Sequence, residues 1–156
     1  MEQIPPNPAP NQIPHRNLFE FPYGEPIILD EAKALITAAE RAAYARGLRM
    51  CLTVMDSGGN LVAFQRMDGA LLISISASHE KARTAVLMKA TSKAPENIVT
   101  AGGLGLTYLS AGVIAVRGGI PLVRDGKIIG SFAASGGTLE DDEHISWVGA
   151  STLRTL

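Results

Sequence analysis

Apolar and polar positions along this chain follow two periods, one typical of helices and one typical of strands. Three stretches have apolar residues three or four positions apart, which predicts amphipathic helices: 30–46, a second that starts at 74 or 76 and ends at about 90, and 138–156. Five short runs rich in aliphatic and β-branched residues predict strands: 49–56, 61–67, 112–116, 120–124 and 127–134. The predicted order is therefore helix, two strands, helix, three strands, helix.

Turn and cap residues define where these elements begin and end. Asp30 is a good N-cap for the first helix, and Gly47 stands where a helix stop belongs. The glycines in 57–60 and the Asp-Gly pair at 125–126 can adopt the positive φ of tight reversals, so each predicts a hairpin. The residues at 138–141 match a capping box at the start of the last helix.

Hairpins rather than crossovers join the predicted strands within each group. This predicts an α+β fold with one largely antiparallel sheet of about five strands and helices against it. Six of the nine prolines fall within the first 22 residues, which predicts an extended arm over 1–26 before a single domain over 27–156. The arm either packs on its own domain or a neighbouring subunit, or is a tail docked only through its end.

Composition and charge narrow the function. The 156 residues are 46% hydrophobic and 19% charged, with a net charge of −1, so no global field would attract nucleic acid or an anionic membrane. Neither is expected as a partner. The first residues lack a basic segment followed by an apolar one, and we expect no secretory signal. The one cysteine, Cys51, lies in an apolar run and is predicted to be a buried thiol, which suits a reducing cytoplasm.

Five segments and one following carboxylate, taken together in order, carry a family resemblance: 56–64, 66–70, 81–85, 118–121, 129–137 and Asp142. They resemble the GlcG-like, haem-binding ("haem-degrading") or HbpS-like domain family, which is related to the C-terminal domain of PduO corrinoid adenosyltransferases. The resemblance extends over roughly 30–156. It implies a profilin-like α+β fold, frequent homo-oligomers, and haem or corrinoid binding in some members.

Three charged residues are the first candidates for chemistry. Arg66 and Asp68 are two positions apart and share a strand face, and the planar fork of Arg66 suits a carboxylate. Lys81 interrupts a buried apolar stripe, where an unpaired amine would be a candidate base or nucleophile. The alternative is an internal ion pair of Lys81 with Asp68 or Asp56 that only stabilises the fold.

Two glycine-rich segments are candidates for holding an anion. Gly118 and Gly119, and the run Ser135, Gly136 and Gly137, follow predicted strands and could present backbone N–H groups to a carboxylate or propionate. The second run also leads into the start of the last helix, where the helix dipole favours an anion. The alternative is that these glycines only form turns.

The three histidines, His15, His79 and His144, lack paired metal-ligand spacing, so a zinc site is not expected. A haem iron needs only one axial ligand, which keeps each of them as a candidate. The simpler interpretation of His79 is an exposed polar position. The acidic run at 140–143 predicts a raised pKa for the His144 imidazole.

Three functions remain open. The first is a cytoplasmic ligand-binding protein that takes haem, another tetrapyrrole or an acidic ligand in a pocket lined by Arg66, Lys81 and the glycine-rich turns, and that forms a homo-oligomer. The second is a catabolic isomerase, hydratase or lyase in which Lys81 and Asp68 or Asp142 transfer a proton on a carboxylate substrate held by Arg66. The third is a structural or assembly role.

Overall fold

The computed structural model describes residues 19–155. The helices and strands over these residues are α1 (Leu29–Ala45), β1 (Cys51–Asp56), β2 (Leu61–Arg66), α2 (Ile73–Met88), α3 (Lys93–Thr100), β3 (Gly119–Arg124), β4 (Lys127–Ser135) and α4 (Leu139–Ser151). Two 3-10 segments occupy Gly103–Ala111 and Thr152–Thr155. The strands form one antiparallel sheet in the order β2-β1-β4-β3.

One face of the sheet carries the main hydrophobic core. Leu52 and Val54 of β1 and Phe132 of β4 pack there against Leu35 of α1 and Ile145 of α4, and all five side chains are inaccessible to solvent. Alternation along the strands sends these residues to one side and their neighbours to the other. The sheet therefore lies between α1 and α4 on this face and α2 on the opposite face.

Helix α2 covers the opposite face largely through small and polar side chains. Thr53 Oγ1 donates to Ser78 Oγ over 2.9 Å, and Ala82 packs with Met55 one turn later. Helix α2 therefore runs roughly parallel to β1, which brings its first turn over the beginning of that strand.

Both predicted hairpins and the predicted helices are present, with shifted ends. Helix α1 begins at Leu29, so the predicted N-cap at Asp30 is wrong and that residue lies in the first turn. Gly47 does end α1, with φ of +71° and its N–H donating to Tyr44 O. The capping box of α4 is confirmed, because Asp141 N donates to Thr138 Oγ1 over 3.1 Å. The last helix ends at Ser151, short of the predicted 156.

The predicted strand over 112–116 is not formed, so the sheet has four strands within 19–155 rather than about five. Gly112 has a left-handed φ of +75° at the start of this run. Ile114 N then donates to Thr84 Oγ1 of α2 over 3.0 Å instead of joining the sheet. The run forms a wall beside α2.

The described end of the predicted arm contacts the domain that follows it. Gly24 N donates to Ile128 O, and Ile128 N donates to Pro22 O, each over 2.9 Å. Tyr23 OH donates to Val86 O over 2.9 Å. The remainder of the predicted arm, 1–18, lies outside the described residues. No helix found within the described part of the chain is long and apolar enough to cross a bilayer.

Candidate functional site

Lys81 and Asp142 form a buried ion pair between α2 and the first turn of α4. Lys81 Nζ donates to Asp142 Oδ2 over 2.5 Å, and the two side chains are 2% and 5% exposed. Asp142 Oδ1 accepts from Gly136 N over 3.0 Å and Gly137 N over 2.8 Å. Burial raises the pKa of Asp142, while the Lys81 charge and the glycine N–H groups act in the opposite direction. The carboxylate has three donors from the protein itself.

The partner of Lys81 differs from the sequence prediction. Asp142 takes the place predicted for Asp68 or Asp56, which is a correction to the expected ion pair. Asp56 instead accepts from Gly58 N over 2.8 Å within the first hairpin turn. Asp68 is exposed, and its side chain makes no hydrogen bond or ion pair with any residue in 19–155.

Gly118 and Gly119 permit a close approach of β3 to α2. A Cβ on Gly119 would lie 2.1 Å from Lys81 O, and Gly118 has a φ of +117°. Gly119 N donates to Ser92 Oγ over 2.8 Å. Since Gly136 N and Gly137 N bond to Asp142, three of the N–H groups predicted to hold a ligand are engaged within the protein.

Arg66, at the end of β2, has no hydrogen-bond or ion-pair partner within residues 19–155. Its side chain is exposed. In the sheet, Arg66 lies opposite Cys51, and Cys51 lies opposite Ser135. Directly opposed residues point to the same face, so these three side chains form a row on the face covered by α2.

Two hydroxyls beside this row are buried without a hydrogen-bond partner in the described structure. Ser135 is 6% exposed and Ser74, in the first turn of α2, is 3% exposed. Ser74 is one turn before Ser78, which places it over the beginning of β1, at the level of Cys51 and Ser135. Helix α2 begins without a side-chain cap and with no acidic residue in its first turn. Free donors, a helix N-terminus and an arginine therefore meet at one end of the sheet, an arrangement that suits an anion.

The histidines take different environments. His79 is half-buried rather than exposed, its Nδ1 lies 2.5 Å from Ile75 O, and its ring centroid lies 4.8 Å from that of Phe64. Burial and the Arg46 charge lower the pKa of His144, so the predicted increase is wrong. His15 lies outside the described residues. No group of three or more potential metal ligands occurs within 19–155.

Two cavities in the described structure are lined by different elements of the fold. One of about 430 Å³ is lined mainly by apolar residues of the stretch after α3, with Glu80 of α2 at its edge. A smaller one of about 50 Å³ lies between β3 and α4 and includes Trp147. Neither is lined by Arg66 or Lys81, which were predicted to share a pocket.

Sequence reasoning missed Ser74 and the ring contact of His79. The signal available for Ser74 was its spacing of seven positions from Lys81, which puts both residues on the buried stripe of α2. The contact of His79 with Phe64 joins two elements, and no local pattern indicates it.

A family model described as "Haem degrading protein HbpS-like" matches residues 27–151. The chain is 36% identical over 105 residues to the protein GlcG of Escherichia coli K12, which covers 67% of this chain and 77% of GlcG.

Solved structures agree with this match. The Klebsiella pneumoniae protein ORFY superposes with a TM-score of 0.80 and 29% identity, over 85% of this chain and 94% of ORFY. PduOC, solved as a complex with haem, superposes with a TM-score of 0.75 and 30% identity, over 81% of this chain and 94% of PduOC. Since the family model spans most of its length, the chain belongs to the HbpS-like family.

Proposed function

We propose that this chain binds a small carboxylate-bearing ligand at the end of the sheet, with Arg66 as its main anion contact. The observation that carries the proposal is that, among the described residues, the guanidinium of Arg66 has no ion-pair partner and lies in register with the buried hydroxyl of Ser135, which has no hydrogen-bond partner there. A planar guanidinium binds a carboxylate through two hydrogen bonds. Ser74 and Ser135 supply further donors below it.

In this proposal Lys81 and Asp142 position the site rather than react. Their pair is enclosed, and Asp142 holds the turn that follows Ser135 through Gly136 and Gly137. The alternative of proton transfer by Lys81 and Asp142 has less support, because a substrate would have to displace a buried pair whose acceptor oxygens are already bonded.

Haem is the first candidate for the ligand. The proposed location of the protein is the cytoplasm. The family and the haem complex of PduOC favour haem, and the residues present suit its parts. Arg66 suits a propionate, and the neighbouring Leu71, Leu72 and Ile73, which are 61%, 72% and 71% exposed, suit the apolar macrocycle. The half-buried His79 offers a nitrogen donor for iron. Bound haem would supply a redox-active iron.

The test is a titration of the purified chain with haemin, followed by the Soret band. We expect saturable binding, and we expect Arg66→Ala to weaken it about tenfold to hundredfold, the cost of a charge-assisted hydrogen bond. Arg41→Ala is the matched control, since Arg41 is also exposed and makes no hydrogen bond or ion pair in the described structure but lies on α1, across the sheet. Equal affinities for the two variants would contradict the assignment of Arg66.

The same three proteins, the wild type, Arg66→Ala and Arg41→Ala, also test whether the ligand is a carboxylic acid smaller than haem. If haemin does not saturate the chain, short-chain and aromatic carboxylates are screened by their effect on thermal stability. A shift present in the wild type and in Arg41→Ala but absent in Arg66→Ala identifies such a ligand at this site. No shift with any acid, together with no haemin binding, contradicts the proposed function.

A further inference from the structure

We infer that Nε2 of His79 is the axial ligand to the iron of a tetrapyrrole bound beside Arg66, an inference that rests on the proposed function. Nδ1 of His79 lies 2.5 Å from Ile75 O. A carbonyl oxygen only accepts, so Nδ1 carries the proton and Nε2 keeps its lone pair. Metal-bound histidines commonly have their second ring nitrogen fixed by a backbone carbonyl in this way.

The ring is also held in place from its other side. The centroids of His79 and Phe64 are 4.8 Å apart with an interplanar angle of 31°. His79 is half-buried, and Nε2 has no partner among the described residues. The imidazole is thus oriented by two contacts that leave its donor nitrogen free.

The position of His79 relative to Arg66 matches the two polar parts of haem. Phe64 and Arg66 are alternate residues of β2 and point to the same face, about 7 Å apart along the strand. Strand β2 is at the edge of the sheet, so no further strand covers its outer side beside His79 and Arg66. A planar ligand seated against this edge can place its iron toward His79 while a peripheral carboxylate reaches Arg66.

Other potential donors in the described residues are less suitable. Cys51 is inaccessible to solvent in the middle of the row, between Arg66 and Ser135. The sulfur of Met67 accepts from Met50 N in the interior. His144 lies on α4, which packs on the face of the sheet opposite to α2 and Arg66. His79 is therefore the donor that shares a face with Arg66.

The test compares the spectra of the haem-loaded wild type, His79→Ala, His79→Gln and the control His144→Gln. We expect imidazole-ligated ferric haem in the wild type and His144→Gln, by Soret position and electron paramagnetic resonance. Both His79 variants should lose this signature, and added imidazole should restore it in His79→Ala. Circular dichroism checks that each variant is folded, and His79→Gln keeps most of the side-chain volume.

The outcomes separate this inference from the proposed function. If haemin binds with dependence on Arg66 and the His79 variants keep the wild-type spectrum, the inference is wrong and the proposed function stands. Loss of the spectrum without rescue by imidazole in a folded His79→Ala also contradicts it. If the wild type binds a carboxylate but no haemin, the inference fails while carboxylate binding stands.

Discussion

At the scale of single residues, the buried Lys81–Asp142 pair is the contact whose loss on one side we expect to cost much stability. Replacing Lys81 by Met would leave Asp142 buried at 3% exposure without its counterion. We expect Lys81→Met to lower the free energy of unfolding by about 3–5 kcal/mol, the usual cost of breaking a buried pair on one side. Urea denaturation at neutral pH measures this.

The double variant Lys81→Met with Asp142→Asn is the matched control. It removes both charges and keeps an oxygen that can accept from Gly136 N and Gly137 N. We expect it to recover a large part of the lost stability, because the uncompensated charge is gone. A Lys81→Met protein as stable as the wild type would show that the pair does not hold the turn.

Burial of Lys81 was predictable, whereas its partner was not. The apolar stripe around Lys81 requires one face of α2 to be covered, and this fixes a buried amine. Asp142 is 61 positions away in the chain, and the sequence pattern favoured Asp68 or Asp56 as the partner instead. Asp142 reaches Lys81 only because α4 packs against β4. Tertiary packing therefore determines which aspartate pairs with Lys81.

At the scale of elements, the contact between β3 and α2 depends on a missing side chain. A Cβ on Gly119 would lie 2.1 Å from Lys81 O and 2.7 Å from Lys81 C, both backbone atoms that cannot move alone. We expect Gly119→Ala to lower the free energy of unfolding by about 3 kcal/mol or more, the upper range for overpacking. Thermal denaturation gives the value.

Gly126→Ala is the comparison for this substitution. Gly126 has a φ of +70°, and a Cβ there would meet nothing within 4 Å. It should cost only about 1 kcal/mol, from backbone strain alone. Equal losses in the two variants would mean that β3 can move away from α2, contrary to the close approach described.

The hairpins and caps were predictable because their causes are local. The Asp-Gly pair at 125–126 and the box at Thr138–Asp141 determine their geometry through neighbouring residues. The run at 112–116 has strand composition, yet Ile114 bonds to Thr84 of α2. β3 is an edge strand, yet the run contacts α2 instead of pairing with it, and this choice is a tertiary contact that local composition does not indicate.

At the scale of the whole molecule, self-association stays a prediction, and the described structure offers one exposed apolar surface where two copies could meet. Leu104, Leu106 and Leu109 of the 3-10 segment are 88%, 52% and 53% exposed. An apolar group of this kind favours burial against another copy. We expect light scattering to give an oligomer for the wild type and a smaller mass for Leu104→Glu.

The control for this surface is Leu139→Glu, at an exposed leucine of α4 that is 43% accessible. It should keep the wild-type mass, because a carboxylate near a helix start is tolerated. A monomeric wild type, or equal masses for both variants, would contradict an interface at the 3-10 segment.

The single thiol of the chain, Cys51, can report how often this end of the sheet opens. Cys51 lies between β2 and β4, and burial raises the pKa of its thiol against the opposing effect of Arg66. An alkylating reagent reaches its sulfur only after strands separate or α2 lifts away, because only the accessible thiolate reacts. Its labelling rate in native buffer therefore reports how often the sheet end opens, and a bound anion that clamps this end should slow the reaction.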